Sequence, residues 1–99
     1  MPSYRLTLAA EDDLRGIWRY SSDVWGPEQA DTYLDQIGEC LDAIGRGRVN
    51  SRSFDRLLAG IHVYRCQKHF VFWTVIDGPI IIAVLDEKMD LVKSLIDRL

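Results

Sequence analysis

The sequence predicts an α+β domain in which a pair of helices packs on one antiparallel sheet. Three observations predict it. Two amphipathic helical patterns meet at Trp25-Gly26-Pro27-Glu28-Gln29-Ala30, where Gly26 frees the backbone to end one helix and Pro27 presets φ for the start of the next. A segment with period two precedes this pair, and three apolar segments follow it in quick succession, two of them joined by the hairpin signal Asp77-Gly78. At 99 residues and 47% hydrophobic composition, the chain makes one domain around one core.

Taken in order, residues 4–8 alternate as a half-buried strand. A helix follows from Ala10, with Glu11, Asp12 and Asp13 in its first turn, where the macrodipole favours acids. Its apolar positions are Ala10, Leu14, Ile17, Trp18 and Trp25. In the second helix Ala30, Tyr33, Leu34, Ile37, Leu41 and Ile44 form one stripe, opposite Glu28, Asp31, Asp35, Glu39 and Asp42. Trp18, Trp25 and Tyr33 are read as core of the hairpin. Gly45-Arg46-Gly47-Arg48 suits a C-cap. A polar, arginine-rich segment then runs to Gly60, with Phe54, Leu57 and Leu58 as anchors. Strands are expected over 61–66, from 68 or 69 to 76, and over 80–85, with Pro79 tolerated at a strand start. Residues 89–99 read as a short helix that also offers a contact surface.

The net charge of −3 conceals a division along the chain. Residues 1–42 carry a balance of −6, residues 43–76 a balance of +5, and residues 77–99 a balance of −2. The basic middle suits nucleic acid or an acidic protein, or simply a solvated loop beside an acidic helix. The acidic stripe of the second helix excludes nucleic acid from that face. Cys40 and Cys66 lie in apolar patterns without metal-ligand spacing; they are read as reduced core thiols of a cytoplasmic protein, a disulfide being the other option. No phosphate loop, zinc spacing or serine elbow is present, and no run is long enough to span a membrane. No cofactor or metal is expected.

Both alternating faces of the last two strands are apolar. His69, Val71, Trp73 and Val75 oppose Phe70, Phe72, Thr74 and Ile76, while Ile80, Ile82 and Val84 oppose Ile81, Ala83 and Leu85. A single helical pair covers one face of a sheet. The expectation is therefore an apolar face that needs a partner, with poor solubility or self-association without one; the alternative is that the basic loop and the C-terminal helix cover the sheet completely.

These residues resemble the ParE toxins of bacterial toxin–antitoxin systems, within the RelE/ParE superfamily. The resemblance rests on Tyr4-x-Leu6, Ala10-x-x-Asp13-Leu14-x-x-Ile17-x-x-Tyr20, Trp25-Gly26, Gln29-Ala30-x-x-Tyr33-Leu34, Leu57-x-x-Gly60, His69-x-x-Phe72-Trp73 and Val84-Leu85 before Met89-Asp90. The chain departs from the family in Gly45-Arg46-Gly47-Arg48-Val49, in His62 where an arginine is common, and in Asp86 where a histidine is common.

The resemblance implies a RelE/ParE-like fold: an N-terminal strand, an αα-hairpin, a three-stranded antiparallel meander completing one sheet, and a short C-terminal helix. It implies a toxin that inhibits DNA gyrase and is neutralised by a ParD-like antitoxin laid along apolar surface, a non-enzymatic role with no catalytic residue. Arg65, Val71, Trp73 and Ile82 are the expected antitoxin contacts. Arg48, Arg52, Arg56, Lys68 and Lys88 are candidate target contacts. The alternative is the RelE branch, which cuts mRNA on the ribosome and needs a basic surface with a general acid or base. Here Arg65, Lys68 and Lys88 are available, no Tyr follows Tyr64, and His62 and His69 are read as core residues rather than bases.

Overall fold

A computed structural model describes residues 3–50, 52–53 and 59–98. Phe54, Asp55, Arg56, Leu57 and Leu58 lie outside the described residues, as does the side chain of Arg52. The order of elements is β1 (Arg5–Leu6), α1 (Leu8–Trp25), α2 (Pro27–Gly45), β2 (Arg52–Ser53), β3 (His62–Cys66), β4 (His69–Val75), β5 (Pro79–Asp86) and α3 (Leu91–Ile96). The strands form one five-stranded sheet in the order β1-β5-β4-β3-β2. β1 joins β5 in parallel, and the remaining pairs are antiparallel. The α+β architecture read from the sequence is the one observed, with β2 as an added edge strand.

The first strand is shorter than its alternation suggests because Thr7 leaves the strand to cap α1. Its hydroxyl accepts from the Ala10 amide at 3.1 Å, while its own amide donates to the Ile81 carbonyl at 3.0 Å. Leu8 then opens the helix and stands 79% exposed. At the helix joint Gly26 is both C-cap of α1 and N-cap of α2, with φ 94° and ψ 160°. Pro27 occupies the first position of α2. The far end of α2 closes in a Schellman arrangement: Gly47 has φ 68°, its amide donates to Ile44, and the Arg48 amide donates to Ala43.

The sheet is buried on both sides. Against the hairpin lie Val71, Trp73, Ile81, Val84 and Cys66, packed with Ala10, Ile37, Leu41 and Ile44. On the other face Phe72, Ala83, Leu85 and Ile61 pack with Leu95 of α3. The expected open face is thus closed in part. The six-residue helix contributes Leu95, completely buried in one cluster with Phe72 and Ala83, and leaves Val63, Phe70, Ile82 and Leu91 partly exposed.

The strict alternation expected for the last strand is also corrected. Trp73 pairs with Ile81 and Phe72 with Ala83, so Ile82 is an unpaired extra residue. This bulge puts Ile81 and Val84, three apart, on the hairpin face and sends Ile82 to the opposite side.

Cys40 and Cys66 are joined by a disulfide, with their Cα atoms 6.2 Å apart, within the range the bond requires. The reading of two reduced thiols is corrected accordingly. Both residues do lie in the apolar core region, and their types alone did not reveal that α2 and the end of β3 abut there.

Candidate functional site

Among the described residues, a groove of about 770 Å³ lies between the helical hairpin and one end of the sheet. One wall is helical, with Gly16, Ile17, Tyr20 and Trp25 of α1 and Gln29, Tyr33 and Gln36 of α2. The other is the β3–β4 turn (Gln67, Lys68, His69) and the end of β5 through Met89. Gly16 leaves the helix surface open, since a Cβ there would meet nothing within 4 Å.

At the floor, Tyr33 links the two walls. Its hydroxyl is hydrogen-bonded to His69 Nδ1 at 2.6 Å and accepts from the Lys68 amide at 3.2 Å. His69 Nε2 faces Asp86 Oδ2 at 3.9 Å. Burial lowers the His69 pKa from its ordinary value of 6.5, against the opposing pull of Asp86, Glu87 and Asp13. Burial likewise raises that of Tyr33, partly offset by the Lys68 amide. The pair is therefore neutral near pH 7 and suited to holding the walls together; it lacks the lowered phenol pKa that would activate Tyr33 as a nucleophile.

The end of β5 is pinned by charge. Asp13 accepts from the Val84 amide at 2.9 Å and from Arg98 Nη1 at 2.7 Å, and the same guanidinium donates to the Ile82 carbonyl at 3.2 Å. Arg65 pairs with Glu87 and lies over the Phe70 ring at 5.7 Å. Asp86 Oδ1 accepts from the Lys88 amide at 2.8 Å, shaping the turn beyond the strand.

The rim is apolar and exposed: Tyr20 and Trp25 are each 68% accessible and Met89 is 46%. Trp25 is therefore not hairpin core, because Gly26 ends α1 just after it and turns the chain away. Trp18 is also part-exposed, with its indole donating to Asp31 at 2.8 Å.

A family model for the ParE toxin of the type II toxin-antitoxin system, parDE, matches residues 4–91. The chain belongs to the ParE toxin family. Toxin ParE of Escherichia coli is 35% identical over 101 residues, spanning 100% of this chain and 98% of that protein. Toxin ParE1 of Caulobacter vibrioides is 33% identical over 90 residues, spanning 91% and 94%. A solved structure described as the chromosomal ParDE TA system from P. aeruginosa shares the fold, with a TM-score of 0.74 at 19% identity over 87% of this chain and 96% of that one.

Within this ParE fold the residues expected to meet an antitoxin are scattered. Val71 is fully buried and Trp73 is 5% exposed, both beneath the hairpin, so neither presents a surface. Their alternation correctly marks an apolar face, but it is the face the toxin's own helices cover. Ile82 sits half-buried on the bulge, and Arg65 is exposed beside Glu87. Of the target candidates, Lys68 and Lys88 meet at the groove, and Arg48 is exposed beyond the α2 cap.

His62 stacks on Trp73 with ring centres 5.6 Å apart. The sequence places Asp13, Tyr33 and His69 in the family pattern but does not reveal that Asp13 meets Arg98 or that Tyr33 meets His69. A signal was present, since Asp13 falls on the Ala10–Ile17 helical stripe while Asp12 points away.

Proposed function

We propose that this ParE toxin poisons DNA gyrase by binding it, holding its DNA cleaved and blocking replication in the bacterial cytoplasm, with no chemistry of its own. The match to the ParE family along residues 4–91 carries the reading. A ParD-like antitoxin neutralises the toxin by laying an amphipathic segment into the groove, its apolar side chains on Tyr20, Trp25 and Met89. Exposed aromatics beside a concavity are the surface such a segment recognises. Arg48, Arg52, Arg56, Lys68 and Lys88 supply positive charge toward gyrase or its DNA.

The test is induction of the chain alone in bacteria. Growth arrest with a DNA-damage response and gyrase-linked breaks is expected; intact DNA with cleaved mRNA overturns the gyrase reading. Co-expression of the antitoxin encoded beside it restores growth. Trp25→Glu should weaken antitoxin binding on the order of tenfold or more without lowering Tm, as for an exposed aromatic anchor. Unchanged affinity would move the antitoxin off the groove.

A further inference from the structure

We propose that Cys40 and Cys66 form a reversible thiol–disulfide switch that tightens or frees the helical wall of the groove, with the Cys40 sulfur as the point of attack for a dithiol reductant.

The bond joins α2 to the last residue of β3, immediately before the Gln67-Lys68 turn that makes the opposite wall. Tyr33, two turns earlier on α2, reaches the same turn through the Lys68 amide and His69. A covalent bond and two hydrogen bonds thus fasten one helix to one turn.

The two sulfurs are not equivalent. Cys66 is 1% exposed, while Cys40 is only partly buried, so Cys40 is the residue of the pair nearer to solvent and the proposed side of attack by an external thiolate. The thiolate forms a bond to Cys40 Sγ, the S–S bond breaks, and its electron pair leaves on Cys66 Sγ. The second thiol of the reductant then attacks the mixed disulfide and releases Cys40 as thiolate. Two electrons and two protons pass to the cysteines, and the dithiol becomes a cyclic disulfide.

Reduction does not release the helix wholesale. Ile37, Leu41 and Ile44 still bury α2 against the sheet, which keeps the thiols close enough to rejoin. What loosens is the groove wall, where the Tyr33 hydroxyl still ties α2 to the turn. The switch stands on these contacts and is independent of which partner the groove accepts.

The test compares air-oxidised protein with protein treated with dithiothreitol under native conditions, with mass measured after alkylation. No alkylation is expected before treatment and two alkylated cysteines after it. Exchange of the Lys68 amide should then accelerate on the order of tenfold while the Ile37 and Leu41 amides keep their protection. Removing this cross-link lowers Tm on the order of 15 °C, and oxidised dithiothreitol restores it. Cys40→Ala should match the reduced protein with or without reductant. Alkylation of untreated protein, failure of dithiothreitol to reduce the native bond, or unaltered Lys68 exchange on reduction each overturns the proposal.

Discussion

Tyr33 shows how much one hydroxyl holds in this molecule. It satisfies an imidazole nitrogen and a turn amide together, so Tyr33→Phe leaves both without that partner at the floor of the groove. The expected cost is about 1–3 kcal/mol, read as a lower urea midpoint with an unchanged m-value. His69 makes the same contact sensitive to acid. Its folded pKa lies below 6.5, so the unfolded chain takes up the proton first as pH falls. The stability it contributes is present above the unfolded value and is lost as pH drops from about 6.5 toward the folded value. Urea midpoints between pH 7.5 and 5.5 check this, and a flat profile contradicts it. At Gly26 the backbone angles belong to glycine, and Gly26→Ala should cost about 1–3 kcal/mol although a Cβ there meets no atom within 4 Å. The two kinds of cost differ in legibility. The need for glycine between helical patterns is local and was read directly. The Tyr33–His69 bond spans 36 positions and needs the packed fold to appear.

At the scale of elements, the outer side of β5 is served by side chains where β1 ends. Asp13 and Arg98 take up the Val84 amide and the Ile82 carbonyl that a longer neighbouring strand would have paired. Removing either charge exposes the other in a partly buried setting, so Asp13→Ala or Arg98→Ala should cost roughly 3–5 kcal/mol. The double variant should recover part of that loss, and simple additivity in denaturant melts would contradict a coupled pair. The three strands of the meander and the long helices were legible because each repeats a period over many residues. The bulge was not. It shifts a single residue, Ile82, and its origin lies in the register with Phe72 and Trp73 rather than in any pattern along β5 itself. The short helix α3 was foreseen, but its reach was underestimated, since covering power depends on where Leu95 lands.

For the molecule as a whole, much of the sheet is covered by its own helices, and the groove with its exposed apolar rim is the surface proposed to meet a partner. This changes what an isolated toxin should do. With buried clusters on both sheet faces, the fold should stand without a bound antitoxin, and residual stickiness should trace chiefly to Tyr20, Val24 and Trp25 on α1. Replacing Tyr20 and Trp25 by polar residues should abolish any concentration-dependent association in sedimentation while leaving the fold's Tm within about 2 °C, as for exposed substitutions. Persistent association would locate the sticky surface elsewhere. The family was readable because its motifs recur in order along nearly the whole chain. The contact surface was less so. Apolar alternation marks burial without saying whether the cover is the chain's own helix or another molecule's.

The pairing of β1 with β5 bears on how the toxin comes into being at the ribosome. Arg5 and Leu6 find their partners only at Ile80 and Ile81, and Asp13 waits for Arg98. The hairpin emerges first, with Ile37, Leu41 and Ile44 lacking the strands that will bury them. Until β4 and β5 have been translated, neither the groove nor the sheet exists. A nascent toxin is therefore harmless in any activity that needs its folded surface until those strands have emerged.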